Sequence, residues 1–392
     1  MASILTINAG SSSIKTALYS TDGSLEEIFS VSIENIGSIS SQLYTTVRPD
    51  GTAVEVENHS QALIAILEQI ETVAKNQVIV AVGHRVVHGA EMFTEPTAVT
   101  SEMLSRLTSL APIDPDHLPA AIDSMTLALQ YYPDIPHIAC FDTSFFHDIP
   151  LVAQTIALPR ALRQHGLRRY GFHGLSYAYL LNDFATHEGE AAAHGKVIMA
   201  HLGSGASLAA TDKGSAVDMT MGFSPTSGIV MSTRSGDLDP GVVPFLHNLN
   251  GMTISDFSEI INKQSGLLGV SETTADMYWL LRNQADDSRA AEAIELFCYQ
   301  ARKAIGSLSA ALGGVNSLIF SGGIGERSAE IRERICSGLQ YLGITIDSVR
   351  NTANERCISA NNSTVGVHVI HTNEAYTIAH KTLVFIRNQS KT

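Results

Sequence analysis

The segment Asn8-Ala9-Gly10-Ser11-Ser12-Ser13 lies between two apolar stretches of the sequence, residues 4–7 and 14–19. A second segment, His201-Leu202-Gly203-Ser204-Gly205-Ala206-Ser207, also lies between two apolar stretches. Short apolar runs joined by glycine and serine predict β-hairpins. Because a turn without large side chains exposes its backbone N–H groups, each turn is suited to hold an anion. The repetition predicts a duplicated fold in which two lobes close on one polyphosphate.

The length of 392 residues exceeds the size at which a single hydrophobic core stops growing, so two domains are expected. We predict an N-terminal domain over residues 1–150 and a C-terminal domain over residues 151–392. The terminal helix, from about residue 376 to residue 392, is expected to pack back on the first domain. Strands alternate with helices in both halves of the sequence, which predicts the α/β class.

Hydrophobic periodicity predicts the remaining elements of both halves. Beyond the two hairpins, strands are predicted at residues 27–32, 77–83, 138–141, 216–219, 318–320 and 365–370. Helices are predicted at residues 59–73, 119–131, 176–185, 255–263, 273–282, 289–312 and 329–342, and a last one follows Glu374. The polar stretch that follows the third strand and ends near residue 58 contains no predicted element.

Charge and composition exclude several classes of protein. The formal net charge of −14 argues against nucleic acid and against an anionic membrane as the main partner. The four cysteines are widely spaced, which argues against a disulfide framework and against a zinc site. The first twenty residues do not resemble a signal peptide, and no apolar run approaches the ~20 residues that span a bilayer. These features predict a soluble, cytoplasmic protein.

Three basic residues are candidates for binding a small anion. His173 lies between Gly171 and Gly174, which let the backbone approach a ligand. Arg85 follows an apolar strand and Arg234 lies in a polar segment, and a guanidinium can hold a carboxylate or a phosphate at two points. A single arginine is more often a surface or ion-pair residue, but together these residues favour a small anionic substrate. Phosphoryl transfer depends on such charges for positioning and stabilisation.

Two acidic residues, Asp142 and Glu374, each follow a predicted strand, where open α/β sheets bind their ligands. Mg²⁺ on a polyphosphate typically takes only one or two protein carboxylates, and these residues suit that role. A structural alternative remains open for each. Asp142 could cap the N-terminus of a helix, and Glu374 could be a first-turn acid favoured by the helix dipole.

Two familiar nucleotide motifs are absent from the sequence. Lys15 follows three serines within a predicted strand and does not have the spacing of a P-loop lysine. The segment 203–205 lacks the third glycine of a dinucleotide fingerprint. The glycine-rich turn at residues 322–325 could bind the sugar or phosphate of a nucleotide, or it could be only a tight packing turn.

With these residues assembled, the chain resembles the acetate kinase family, part of the superfamily that includes sugar kinases, Hsp70 and actin. The resemblance covers nearly the whole chain. It rests on motifs that occur in one order: residues 8–15 (NAGSSSIK), 83–89 (GHRVVHG), 141–143 (FDT), 168–174 (RRYGFHG), 201–207 (HLGSGAS), 233–240 (TRSGDLDP), 321–326 (SGGIGE) and 373–374 (NE).

The resemblance implies two duplicated RNase H-like domains with a central cleft, a homodimer, and reversible phosphoryl transfer from ATP to acetate. Arg85 and Arg234 would clamp the substrate carboxylate and the transferring phosphoryl group, and Asp142 would orient the substrate or assist the metal. His173 would stabilise the transition state as a donor. A carboxylate nucleophile is already ionised at neutral pH, so the reaction needs no general base.

The resemblance also implies the surrounding contacts. Mg²⁺ would be held by Asn8 and Glu374, and the acyl group would lie in an apolar pocket of Val87, Phe172 and Pro225. The nucleotide and its phosphates would be held by Ser11, Ser13, Lys15, His117, His201, Gly203, Ser204, Gly205, Gly322, Gly323, Ile324, Gly325 and Glu326.

The chain departs from the family pattern at residues 111–119 (APIDPDHLP), where the family commonly has Ala-Pro-Leu-His-Asn-Pro. Either His117, after a short insertion, or Asp114 takes the place of the family histidine, and His117 is the preferred candidate. Ser204 replaces the usual asparagine in the second phosphate turn. Arg327 stands where asparagine is usual, and residues 224–228 (SPTSG) also differ. These changes could alter the nucleotide preference or widen the acyl pocket toward propionate.

Other functions remain open on the sequence. A propionate kinase would act on an acid larger by one methylene, a difference that the sequence does not decide. A non-catalytic, actin-like module that binds nucleotide would use the same fold. The arginines favour a kinase, because nucleotide binding alone does not require them. A pyrophosphate-using relative is disfavoured because residues 322–326 keep the nucleotide motif.

Overall fold

The structure is a computed structural model that describes residues 2–10, 12–38 and 40–389. The chain divides into two compact units that interleave along the sequence. The first unit consists of Met1–His147, Gly174–Tyr179 and Asn373–Thr392, and the second consists of Asp148–His173 and Leu180–Thr372. A domain boundary at residue 150 stays a prediction, because these units are not continuous in sequence.

Strands and helices alternate through the described residues. The strands are β1 (Ala2–Ala9), β2 (Ser13–Ser20), β3 (Glu27–Glu34), β4 (Gln42–Thr45), β5 (Arg48–Ala53), β6 (Val78–Val86), β7 (Thr97–Ala98), β8 (His137–Phe141), β9 (Val197–Leu202), β10 (Ala206–Asp212), β11 (Ser215–Met219), β12 (Ser317–Ser321) and β13 (Gly366–Val369). The helices are α1 (His59–Val73), α2 (Ser101–Thr108), α3 (Leu118–Tyr131), α4 (Leu151–Gln154), α5 (Gly174–Glu188), α6 (Glu190–Ala193), α7 (Val242–Asn250), α8 (Ile254–Glu259), α9 (Gly266–Ser271), α10 (Met277–Asn283), α11 (Ser288–Leu312), α12 (Gly322–Arg327), α13 (Ala329–Cys336), α14 (Ser348–Thr352) and α15 (Glu374–Gln389).

Five adjacent strands of the first sheet, β3-β2-β1-β6-β8, have the same order and directions as the five strands of the second sheet, β11-β10-β9-β12-β13. In the first sheet the strands lie in the order β5-β4-β3-β2-β1-β6-β8-β7, and in the second in the order β11-β10-β9-β12-β13. In the first, β1, β2 and β3 pair antiparallel, and β6 and β8 then add parallel to β1. In the second, β9, β10 and β11 pair antiparallel, and β12 and β13 add parallel to β9. The predicted α/β class and the duplicated hairpins are therefore confirmed.

Helix α1 covers one face of the first sheet because its apolar residues fall on one side. Leu63, Ile66, Leu67 and Ile70 are buried in the same core as Leu5 of β1. Full burial of each such side chain stabilises the fold by roughly 1.5–3 kcal/mol. The Asn58 side chain caps the helix by accepting a hydrogen bond from the N–H of Gln61.

Helix α15 contacts the first sheet through Gly83 of β6. A Cβ atom on this glycine would lie 2.6 Å from Ile378 Cγ2, so the absence of a side chain permits the close approach. Ala379 and Leu383 of the same helix are buried against Ile4 of β1. This packing positions the first residue of α15, Glu374, in the first unit.

Some predicted elements were wrong in extent. Residues 42–53, predicted to lack regular structure, form β4, with half-buried side chains, and β5, with mostly exposed ones, and neither strand has an alternating apolar pattern. The helix predicted at 273–282 begins only at Met277, because Asp276 caps it by accepting from Tyr278 N. The helix predicted at 329–342 ends at Cys336, and Gly338 two residues later has the left-handed φ of 94°.

Candidate active site

Arg85, Asp142 and Asn8 lie at the carboxyl ends of neighbouring strands of the first sheet. Because β1, β6 and β8 are adjacent and parallel, their carboxyl ends meet at one edge. Arg85 Nη2 donates to Asp142 Oδ2 at 2.7 Å and its Nε donates to the same oxygen at 3.2 Å. Arg85 Nη1 donates to Asn8 Oδ1 at 3.1 Å. The structure thus brings together three residues that the sequence placed only at strand ends.

Glu374 completes this cluster from the start of α15. Its Oε2 accepts from Asn8 Nδ2 at 2.9 Å and lies 3.7 Å from Arg85 Nη1. As the first residue of α15 it is also favoured by the helix dipole. Both interpretations of Glu374 made from the sequence are therefore compatible with its position.

Electrostatics in this cluster are dominated by burial and by opposite charges. Burial lowers the pKa of Arg85, but the carboxylates of Asp142 and Glu374 outweigh that effect and raise it above its ordinary value. Burial raises the pKa of Asp142, while the Arg85 guanidinium and a backbone hydrogen bond from Leu175 oppose the rise. Asp142 opens a short 3₁₀ helix, and its side chain pairs with Arg85 and accepts the backbone hydrogen bond of Leu175 in the first turn of α5. The helix-capping interpretation of Asp142 is therefore compatible with its position.

The first glycine-serine turn joins β1 to β2. Gly10 donates its N–H to the carbonyl of Ser13 at 2.7 Å. The Nε2 of His59 lies 2.8 Å from the carbonyl oxygen of Gly10, so the start of α1 supports the turn. Lys15 is exposed on β2, 3.6 Å from Glu34. Ser11, a predicted phosphate contact, lies outside the described residues.

The two candidates for the missing family histidine are hydrogen-bonded to each other. His117, directly before α3, lies with its Nδ1 2.8 Å from Asp114 Oδ1. Asp114 is buried, and within the described parts of the chain its Oδ2 has no hydrogen-bond partner. The negative charge of Asp114 also contributes to the raised pKa of Arg85. Both candidates thus belong to one group of side chains.

The second glycine-serine turn, in the second unit, joins β9 to β10. Gly203 donates its N–H to the carbonyl of Gly205 at 3.1 Å. The ring of His201 stacks on that of His173, with centroids 4.5 Å apart, and His173 Nδ1 lies 2.9 Å from Ser207 Oγ. His173 has a φ of 60°, a conformation that is uncommon outside glycine and that is found mainly where the surroundings enforce it.

Gly205 shows how close the basic side chains lie to this turn. A Cβ atom on Gly205 would be 3.2 Å from His173 Nε2 and 3.7 Å from Arg234 Nη1. Arg234 is further held by donating from Nη1 to the carbonyl of Pro225 at 3.3 Å. The exposed Ser204 accepts at its carbonyl from the N–H of Ser232. An imidazole and a guanidinium therefore flank a turn with a small tip.

The third glycine-rich turn follows β12 and opens α12. Gly322 has a φ of 75°, and a Cβ atom there would lie 2.7 Å from the carbonyl oxygen of Leu202, so only glycine fits. A Cβ on Gly203 would lie 3.9 Å from Gly323 N. The second and third turns are therefore neighbours at the ends of β9 and β12. Ile324 and Gly325 continue the turn as the first part of α12.

Glu326, predicted to contact the nucleotide, uses its carboxylate to hold this turn. Its Oε1 accepts from the N–H groups of Gly322 and Thr372, at 2.9 and 3.1 Å, and Oε2 lies 2.5 Å from His371 Nδ1. Burial raises the pKa of Glu326, but these hydrogen bonds outweigh it and hold the pKa below its usual range. The same contact raises the pKa of His371.

The predicted metal ligands Asn8 and Glu374 belong to the cluster around Arg85 in the first unit and supply an amide oxygen and a carboxylate. The Asn8 oxygen accepts from Arg85, and the Asn8 nitrogen donates to Glu374. Mg²⁺ on a polyphosphate keeps several waters and needs only one or two carboxylates, so this donor set fits the ion. In the described residues there is no cluster of three or more His, Cys, Asp or Glu side chains that could hold a metal by itself.

The predicted acyl-pocket residues are all buried, and they belong to different units. Val87 is in the first unit, and Phe172 and Pro225 are in the second. Of these, the structure connects Pro225 to Arg234, as described above. The pocket itself, and the pairing of Arg85 with Arg234 on one substrate, stay predictions.

Three residues that support the site were not identified from the sequence. His59 contacts Gly10 across 49 residues of chain, and His371 contacts Glu326 across 45. Ser207, within the quoted second turn, contacts His173. Histidine beside a polar segment was the only available signal, and it does not identify a partner so distant in sequence.

Around Gly205 the second unit brings together an imidazole and a guanidinium beside a glycine-serine turn. Such an arrangement stabilises an anionic group whose charge is spread over several oxygens.

Among the described residues, no helix combines the length and the apolar character needed to cross a membrane.

Comparisons with known proteins agree with this chemistry. The model of the Acetokinase family matches residues 3–380. The acetate kinase of Rhodopseudomonas palustris is 41% identical over 390 residues, which cover 96% of each chain. A propionate kinase from Francisella tularensis is similar in structure with a TM-score of 0.90 and 33% identity, covering 97% of this chain and 99% of that one. The acetate kinase of Porphyromonas gingivalis has a TM-score of 0.86 and 34% identity, covering 98% and 100%. The chain belongs to the acetokinase family.

Proposed function

We propose that the protein transfers the γ-phosphoryl group of ATP to acetate, reversibly, and forms acetyl phosphate and ADP. A carboxylate oxygen of acetate forms a bond to the γ-phosphorus as the bond to the β-phosphate oxygen breaks, and ADP leaves with that electron pair. The observation that carries the proposal is the cluster at the second turn. There His173 and Arg234 flank Gly205 in a member of the acetokinase family.

The second unit is proposed to handle the transferring phosphoryl group. Its turn at residues 203–205 has only small side chains, and His173 Nε2 and Arg234 Nη1 both lie beside Gly205. Charge spread over the equatorial oxygens in the transition state is stabilised by such fixed donors. The contact between His173 Nδ1 and Ser207 holds the imidazole with its Nε2 toward Gly205.

The first unit is proposed to hold the acid and the metal. The bonds from Arg85 to Asp142 and Asn8 use three of its five N–H groups, which leaves donors for a substrate carboxylate. Asn8 and Glu374 would hold Mg²⁺ together with the phosphates of ATP. When bound, Mg²⁺ neutralises charge on the phosphates during the transfer.

Propionate is a second candidate substrate, because a propionate kinase from Francisella tularensis resembles this chain over nearly its full length. The two acids differ by one methylene, which is worth only about 1–3 kcal/mol of discrimination in an apolar pocket. Residues 224–228, next to the Arg234 contact at Pro225, are where this chain departs from the usual family sequence.

A homodimer in the cytoplasm is also proposed. Helix α7 exposes Phe245 and Leu249, which are 63% and 66% accessible, and Ile254 at the start of α8 is 77% accessible. Exposed apolar side chains close together in sequence favour a protein interface. A cytoplasmic location is supported by the use of ATP. Sedimentation analysis of the chain and of its Phe245→Glu variant tests the dimer, since a monomeric wild type would contradict it.

The function is tested with ATP, Mg²⁺ and a panel of acetate, propionate and butyrate. Acyl phosphate is trapped as the hydroxamate and ADP is measured in a coupled assay. We expect acetate to give the highest kcat/KM, and ADP formation without an acid to be much slower, because water is a poor substitute for a positioned carboxylate. A panel in which every acid fails would contradict the proposal.

A further inference from the structure

Arg332 of α13 is completely buried and is among the largest side chains of the chain with no accessible surface. A guanidinium keeps its charge at neutral pH, and burying a charge is costly unless it is paired. Burial lowers the pKa of Arg332 to about 10, which leaves it protonated at neutral pH. A buried positive charge beside the third glycine-rich turn must therefore be stabilised by its surroundings.

All the hydrogen-bond acceptors of Arg332 are neutral. Nη1 donates to the carbonyl oxygens of Gly325 at 2.8 Å and of Glu326 at 2.9 Å. Nε donates to Asn351 Oδ1 at 2.8 Å, and Nη2 donates to the Asn351 carbonyl at 2.8 Å and to Asn354 Oδ1 at 2.6 Å. Across residues 2–10, 12–38 and 40–389, no carboxylate lies within ion-pair distance of this guanidinium.

The two carbonyls bound by Nη1 belong to the end of α12, the helix that begins with Gly322 and Gly323. The last carbonyls of a helix have no partner within the helix and carry partial negative charge, so a cation there is stabilising. On its other side Arg332 is fixed to residue Asn351 of α14, which itself donates from Nδ2 to the Ala329 carbonyl at 2.8 Å. Arg332 therefore links the end of α12 to α14, whose Asn351 is bonded a second time to α13.

We propose that Arg332 is a positioning residue for the nucleotide. It holds α12 in place so that the turn at residues 322–325 keeps its binding shape, and its unneutralised positive charge beneath this turn favours an anionic nucleotide. The inference rests on the proposed function, in which this turn binds ATP and ADP. A purely structural side chain at this place would need no charge, and a well-packed apolar residue often stabilises as much or more.

The test uses Arg332→Gln and Arg332→Lys in the full chain, with three measurements: KM for ATP, KM for acetate, and ADP affinity by calorimetry with Mg²⁺. Because a buried hydrogen bond to a charged group is worth about a tenfold change in an equilibrium, we expect Arg332→Gln to raise KM for ATP and Kd for ADP about tenfold. KM for acetate should stay within about twofold, as expected for an uncoupled site. Lysine, which keeps the charge, should restore part of the ADP affinity.

Arg302 provides a matched control. Its Nη2 donates to the Arg334 carbonyl at 2.6 Å and its Nε to the Ile335 carbonyl at 3.3 Å, so it binds the end of α13 as Arg332 binds the end of α12. Arg302→Gln should lower the unfolding temperature and leave the ADP affinity unchanged. Should Arg302→Gln weaken ADP binding as much as Arg332→Gln, the effect would be general destabilisation and the inference would be wrong.

A second variant decides the matter if Arg332→Gln does not fold. Asn354→Gly removes one acceptor of Arg332 while glycine tolerates the left-handed φ of 53° at that position. Asn354→Gly should raise the Kd for ADP by a smaller factor than Arg332→Gln does. An unchanged Kd would overturn the inference. Because calorimetry with ADP needs no acid, a wild type that binds ADP but makes no acyl phosphate would overturn the proposed function alone.

Discussion

Asp142 and Arg85 form a two-point ion pair at the edge of the first sheet: Nη2 and Nε of the guanidinium both donate to Oδ2 of the carboxylate, at 2.7 and 3.2 Å. The Asp142 side chain has no accessible surface, and that of Arg85 is 15% accessible. The two residues are 57 positions apart, and parallel pairing of β6 with β8 brings them together. The pair orients Arg85 for the proposed binding of the acid.

Breaking this pair should destabilise the protein strongly. In Asp142→Asn the guanidinium keeps its charge but loses its main counter-charge, and removing one partner of a buried pair costs about 3–5 kcal/mol. Urea unfolding at pH 7 measures the change. The control is Asp218→Asn, which breaks the partly exposed pair with Arg169 at the same 2.7 Å distance. A partly exposed pair contributes about 1 kcal/mol or less. An equal loss of unfolding free energy in both variants would contradict the prediction that burial makes the Asp142–Arg85 pair more important for stability.

Arg234→Ala should abolish most of the turnover and spare nucleotide binding. In the proposed mechanism the arginine stabilises charge that develops on the transferring group, a contribution of about 10³-fold or more to kcat in phosphoryl transfer. Steady-state kinetics and ADP calorimetry measure the two quantities separately. The exposed Arg282 is the control, since its Nη1 donates to the hydroxyl of the nearby Tyr278 at 2.9 Å and it belongs to none of the three glycine-rich turns. Loss of ADP affinity as large as the loss of kcat would argue against a transition-state role.

A double-variant experiment can show whether Asp114 and His117 act together in function or are only close in space. If their contact at 2.8 Å makes them one functional unit, Asp114→Asn and His117→Gln should lower kcat/KM by similar factors. The double variant should then be little worse than either single one, because residues that act together are not additive. Asp116, an exposed residue of the same loop, provides the control, and Asp116→Asn should leave kcat/KM unchanged. Strict additivity in the double variant would show independent roles.

Alanine should have different effects at the neighbouring glycines Gly322 and Gly323. At Gly322 the new Cβ would meet the Leu202 backbone in a left-handed conformation, so the unfolding temperature should fall. At Gly323 the Cβ would meet no described atom within 4 Å, so stability should be unchanged. If the nucleotide occupies that open space, Gly323→Ala should weaken ADP binding about tenfold, which corresponds to about 1.4 kcal/mol of lost binding free energy. Unchanged ADP affinity in Gly323→Ala would remove this turn from the nucleotide site.

Acid should destabilise the fold through His84 and His137. The two rings are buried, with His84 Nε2 3.0 Å from His137 Nδ1, and burial lowers the pKa of both imidazoles. Above about pH 6.5 both are neutral in the folded and unfolded states. Below it the unfolded chain takes up protons more readily than the folded chain, so stability falls, by at most about 2 kcal/mol per histidine between pH 6.5 and 5.

The comparison is urea unfolding of the wild type and of His84→Gln at pH 7.5 and pH 5. The variant loses a hydrogen bond and should be less stable at pH 7.5, yet its further loss at pH 5 should be smaller than that of the wild type. An identical dependence on pH in both proteins would show that His84 does not contribute.

Features that depend on short stretches of chain were predictable. The hairpin of β1 and β2 and that of β9 and β10 follow from apolar runs around glycine and serine, and α1 follows from its single apolar face. The strands β4 and β5 were missed because their half-buried or exposed side chains carry no alternating apolar pattern. The end of α13 at Cys336 was missed because the turn that stops it depends on the backbone conformation of Gly338.

The sequence by itself determined the elements and the type of chemistry: two small-tipped turns, arginines at strand ends and a third glycine-rich turn. Local hydrogen bonding and side-chain periodicity act within a few residues, so they can be read along the chain. Only the tertiary structure decided the partners. Asn8 meets Glu374 across 366 positions and Arg332 meets Asn354 because strand order and helix packing bring them together. Those contacts depend on the global arrangement of the elements, which no local pattern encodes.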